Sequence, residues 1–124
     1  MHTSPKNRRG VARIAVTGPI LIGDLSTLRA QYATTARQAH RAIVFDCRNA
    51  VLQKEASPTH GTPTAPAAGA DTTPVAIVCA PRDESAFIAH AWAMAKRGRT
   101  RAVFTRMGDA VVWARARAEL AGQV

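Results

Sequence analysis

Aromatic side chains are scarce in this 124-residue sequence, with 3 Phe, 2 Trp and 1 Tyr. A core so short of rings must be filled by Val, Ile, Leu and Ala, and any ligand pocket inside it is expected to be small. Cysteine is nearly absent as well. Cys47 and Cys79 are too few for a disulfide framework and form no C-x-x-C pair, which points to a reducing compartment in which both stay thiols. No apolar run approaches the roughly 20 residues that span a bilayer. Met1 to Gly10 also lacks the apolar region of a signal peptide, so a cytoplasmic location is expected. Acidic residues are few, 8 Asp and Glu against 17 Lys and Arg. The resulting charge of +9 favours nucleic acid, an anionic surface or an acidic protein as partner.

The motifs of nucleotide chemistry are missing too. Gly18 and Gly23 do not complete G-x-G-x-x-G, and no Gly-Lys-Ser/Thr follows a glycine-rich turn. No carboxylate pair stands out as acid and base. Cys79-Ala80-Pro81 stands where receiver-type chemistry needs an aspartate at the end of the third strand. These absences favour a binding domain over an enzyme, with no cofactor and no metal expected.

Patterning along the chain gives an alternation of strands and helices. Met1 to Gly10 has Pro5, Lys6, Arg8 and Arg9 but no apolar residue after Met1, and reads as a flexible basic arm. Val11 to Thr17 is β-branched and alternating, a strand ended by Gly18 and Pro19. Leu25, Leu28, Tyr32, Ala36 and Ala39 recur at helical spacing from Asp24, with Arg29 and Arg37 pointing away from the stripe. Ala42 to Phe45 and Val75 to Cys79 are continuous apolar runs of the kind covered on both faces. Between them, residues 53–74 carry Pro58, Pro63, Pro66 and Pro74 among Ser, Thr, Ala and Gly, the composition of a linker or disordered loop.

A second helix is expected from an Asp83 cap to Arg97, with Phe87, Ala91 and Met94 inward and Gly98 ending it. Arg101 to Thr105 reads as a last strand. A final helix follows, bearing Ala110, Val111, Ala114 and Ala118. The expectation is an α/β fold, a mostly parallel sheet of about four strands with about three helices, forming one domain over residues 11–124 after the arm at 1–10.

The stretch Gly18-Pro19-Ile20-Leu21-Ile22-Gly23-Asp24-Leu25 after a strand resembles the STAS-like domains of bacteria, the fold of anti-sigma-factor antagonists. The likeness continues through Ile43-Val44-Phe45-Asp46 and Pro74-Val75-Ala76-Ile77-Val78. It closes with Val103-Phe104-Thr105 and Asp109-Ala110-Val111-Val112-Trp113. The resemblance implies a STAS-like fold and a regulatory, protein-binding role. Regulatory members carry an Asp-Ser-Gly phosphorylation motif after the second parallel strand. Here the Pro-rich stretch replaces it, and neither Ser57 nor Ser85 matches.

A STAS-like strand order would make Val11 to Thr17 central, between Ala42–Cys47 and Val75–Cys79. A ligand cleft would then lie at the carboxyl ends of the strands, near Thr17, Gly18, Cys79, Ala80 and Pro81. That order separates Cys47 from Cys79 by a strand, about 10 Å, so Cys47, Cys79, Asp46, His40 and His90 form no metal site or nucleophile pair and the thiols act as small core hydrophobes. The densest charge is Lys96-Arg97-Gly98-Arg99-Thr100-Arg101. With Arg8 and Arg9 nearby, Lys96, Arg97, Arg99 and Arg101 are candidates for holding a polyanion, although no exposed aromatic interleaves with them.

Overall fold

The two uninterrupted apolar runs lie side by side at the centre of the sheet. In the computed structural model, which describes residues 2–8, 10–35, 42–53, 73–98 and 100–122, the runs are β3 (Ala42–Asp46) and β5 (Val75–Val78), paired in parallel with Ile43 opposite Val75 and Asp46 opposite Val78. The remaining strands are β1 (His2–Arg8), β2 (Val11–Ile20), β4 (Ala50–Leu52) and β6 (Arg101–Phe104). The helices are α1 (Asp24–Thr35), α2 (Glu84–Ala95) and α3 (Met107–Gly122). The strand order is β1-β2-β3-β5-β6, with β4 pairing the far end of β2. All pairs are parallel except β1 with β2. The fold is therefore a mixed α/β sheet, as expected, and the described residues form three helices and six strands rather than about four.

Alternation along the central strands builds two apolar layers. Ile43, Phe45, Cys47, Val75, Ile77 and Cys79 face one side, where Leu25 and Leu28 of α1 and Phe87 of α2 cover them. Ala42, Val44, Ala76 and Val78 face the other, under Ala110, Ala114 and Ala118 of α3. Small residues at every fourth position of α3 present a smooth stripe that fits against the sheet.

Several expectations are corrected. β3, not β2, is central. β2 exposes Arg13 and has a mixed burial pattern, whereas β3 and β5 are apolar on both faces, and the best-covered positions go to the strands with nothing polar to solvate. The segment expected as a flexible arm is β1, an antiparallel edge strand in register from His2 opposite Thr17 to Arg8 opposite Val11. Backbone pairing with β2 recruits it. Pro5 fits because an edge strand has one unpaired side, and Gly10 at φ 77° makes the turn into β2. Arg29 is buried at 1% exposure instead of facing water. Asp83 makes no side-chain cap; the chain enters α2 through a short 3-10 turn at Pro81–Asp83. Of the Pro-rich stretch at 53–74, only Gln53, Thr73 and Pro74 fall within the described residues, as do none of Ala36, Arg37, Ala39 and His40.

Candidate functional site

The residues of the expected cleft fall on two strands that are not neighbours. Thr17 and Gly18 sit on β2, where Thr17 pairs with His2 and Gly18 with Ala50. Cys79, Ala80 and Pro81 follow β5, with β3 and Cys47 in between. Cys79 is fully buried, Ala80 half-buried and Pro81 exposed on the turn into α2.

The same strand order brings the cysteines together. Cys47 follows Asp46 as Cys79 follows Val78, and the Cys47 amide donates to the Val78 carbonyl at 2.7 Å. The two are therefore one strand spacing apart, about 5 Å, rather than two. Both are free thiols in the same apolar layer. Burial pushes the Cys47 thiol up to about 12, helped by the Asp46 carboxylate. Burial likewise raises Cys79 to about 11, with Glu84 and Asp83 adding to it. Thiols held this far up stay protonated at neutral pH and are poor nucleophiles.

Asp46 is also committed. Arg48 grips its carboxylate as a fork, Nε to Oδ1 and Nη2 to Oδ2, both at 2.8 Å, and these bonds hold its pKa below the usual carboxylate range. Burial drives His90 down to about 4, with the Arg101 charge contributing, so the ring is neutral at pH 7 and too weak a base to activate a nucleophile. Its buried Nε2 has no hydrogen-bond partner among the described residues. No group of three or more metal-ligating side chains occurs among the described residues.

The outer face of α2 is different in kind. Phe87, Ala91 and Met94 turn inward, as their spacing predicts. The opposite face carries Ile88 and Trp92, 40% and 71% exposed, in line at i, i+4 with Lys96. An open groove of about 640 Å³ runs between this helix and β6, lined by Ile88, Ala91, Trp92, Ala95, Lys96, Arg101 and Val103. A second shallow depression lies on the other flank of the same ridge, where Arg97 joins Trp92 and Lys96. The helix ends as the sequence predicts: the Lys96 amide reaches the Trp92 carbonyl, Gly98 reaches Ala95, and Gly98 takes φ 74°, a conformation that favours glycine.

Of the expected basic cluster, Lys96 and Arg101 line the groove, Arg97 lines the depression on the other flank beside Lys96, and Arg99 lies outside the described residues. Arg9 also lies outside the described residues, and the backbone of Arg8 is on the far side of the sheet. It is on β1, four strand spacings or about 19 Å from β6. The missed residue is Trp92, an exposed aromatic one helical turn from Lys96. The signal was present: with 87, 91 and 94 inward, a 100° step places 88 and 92 on the outer flank.

No family model matches the chain, and no curated protein matches its sequence. Among solved structures it is similar to an uncharacterised protein of the DUF3478 family with a SpoIIAA-like fold from Shewanella loihica PV-4. The two share 13% identity over 91% of this chain and 92% of that one, with a TM-score of 0.51. At that identity the likeness shows the fold, and it agrees with the STAS-like resemblance of the sequence.

Proposed function

We propose that this SpoIIAA-like chain is a non-enzymatic, regulatory or partner-binding domain that presents the outer face of α2 to an acidic segment of another protein. One observation carries the reading: Trp92 and Ile88 stand exposed on a helix whose other side is sealed, beside the cations Lys96, Arg97 and Arg101. An exposed indole next to cations is the composition of an interface anchor, where Trp and Arg supply much of the binding energy. The excess of 17 basic over 8 acidic residues sets the sign of the partner. Among the described residues Cys47, Cys79 and His90 are held neutral and Asp46 is clamped by Arg48, which supports binding over catalysis.

The experiment is selection of end-blocked peptides from a randomised displayed library against the folded protein. The selected sequences are expected to be acidic with apolar anchors, to bind more weakly as salt rises, and to lose at least about tenfold in affinity against Trp92→Ala. A second reading rests on the same indole. Trp92 beside Lys96 and Arg97 offers a stacking face and phosphate contacts, the pairing used to hold single-stranded nucleic acid. An unstructured oligonucleotide that binds with a steep salt dependence and quenches Trp92, where no peptide binds, would put that reading first.

A further inference from the structure

We infer that the partner binds as an extended strand added to the free edge of β6, in the groove between β6 and α2. This rests on the α2 face being the binding surface and names the backbone groups and partner conformation involved.

β6 is the last strand of the sheet, and among the described residues no strand pairs with its outer side. The ladder with β5 fixes which groups point outward. The Val75 amide donates to the Thr100 carbonyl at 3.0 Å and the Cys79 amide to the Phe104 carbonyl at 2.9 Å, so Thr100, Ala102 and Phe104 turn their backbone groups toward β5. In a ladder the intervening residue faces the other way, which puts the Val103 N–H and C=O on the open edge. Val103 also lines the groove.

An added strand needs main-chain groups to pair with and a wall for alternate side chains. Val103 supplies the first. The flank of α2 supplies the second, with Ile88, Trp92 and Ala95 alongside the edge. Lys96, at the end of α2, and Arg101, at the start of β6, converge on one end of the groove. They select a partner with a carboxylate at that end. Protective edges are short or carry charge, and β6 has both features, with four residues and Arg101. An exposed Trp and Ile beside the strand work against protection, since they add an apolar surface where none is needed to close the core.

The test uses the full chain and the acidic peptides selected above. Binding is expected to slow exchange of the Val103 amide at least about tenfold, measured by NMR on labelled protein. N-methylation of the peptide backbone at its central residue is expected to lower affinity at least about tenfold with charge and side chains kept. Val103→Pro, which removes the outward N–H along with the side chain that lines the groove, should reduce affinity at least as much. The methylated peptide gives the answer on unaltered protein should that variant not fold. If binding depends on Trp92 while Val103 exchange and N-methylation change nothing, strand addition is wrong and the α2 face stands. If binding is indifferent to Trp92→Ala, the α2 face itself is wrong. Protection of Val103 in the unliganded protein by residues of the chain's own 54–72 stretch would overturn the proposal, because the edge would already be occupied.

Discussion

The carboxyl ends of β3 and β5 and the outer face of α2 treat their side chains in opposite ways. At the strand ends, residues with chemical potential are sealed: Cys47 and Cys79 are at most 1% exposed, and Asp46 is held by Arg48. On α2, residues with no chemistry of their own stand in water, Trp92 at 71% and Ile88 at 40% exposure. Cys, Asp and His look like a site on paper, yet burial keeps the thiols and the imidazole neutral and Arg48 occupies the carboxylate. An exposed Trp looks like nothing in a composition table, yet beside Ile88 and the groove it forms an apolar patch of the kind that marks an interaction surface.

The largest expected effect separates the two regions by stability. Phe45→Ala on the central strand should cost about 3–5 kcal/mol in urea unfolding, since Phe45 is fully buried in the layer that Leu25, Leu28 and Phe87 cover. A cost below about 1 kcal/mol would mean that the layer between α2 and the sheet is not packed as described.

Next comes pH. The folded pKa of His90 is about 4, below its ordinary 6.5, so the unfolded chain binds a proton that the folded one refuses. Stability should therefore fall as pH is lowered from 6.5 to 4, by up to about 3 kcal/mol, and level off below. His90→Gln should flatten that window. Asp46 acts in a separate one: its lowered pKa means that the Arg48 fork stabilises the fold above the carboxylate's ordinary 3.8 and is lost only in stronger acid. No difference between the wild type and His90→Gln from pH 6.5 to 4 would show that the ring is solvated.

The thiols give a smaller effect. Cys47→Ala should cost about 1 kcal/mol, the size of one small buried group. At neutral pH a thiol reagent should find both cysteines only after denaturation, and then two of them. Fast labelling of folded protein would reopen the strand ends as a reactive site. The smallest effect belongs to the surface, where Trp92→Ala should change stability by no more than about 0.5 kcal/mol.

Much of this was legible in the sequence, and the failures have physical causes. The apolar runs at 42–46 and 75–78, the inward stripe of Phe87, Ala91 and Met94, and the Gly98 terminus follow from periodicity and backbone preference, which are local. Strand order is not local. The order expected from the resemblance puts Val11–Thr17 between two runs that carry no mark of which neighbour they pair with, and so sets Cys47 and Cys79 one strand too far apart. β1 was invisible because an edge strand is held by backbone hydrogen bonds that any residue can make, even in Pro5-Lys6-Asn7-Arg8. The exposure of Trp92 follows only from its helical phase, since an indole by composition alone suits a core.

The central claim, that the outer face of α2 is the functional surface, is tested most directly by comparing peptide affinity and unfolding temperature for the wild type, Trp92→Ala and the double variant Lys96→Glu, Arg97→Glu. All three are predicted to unfold at nearly the same temperature. Titrated with one selected acidic peptide, both variants are predicted to lose at least about tenfold in affinity, with the charge-reversed one also losing its salt dependence. Undiminished affinity in both variants, with the fold intact, would contradict the account.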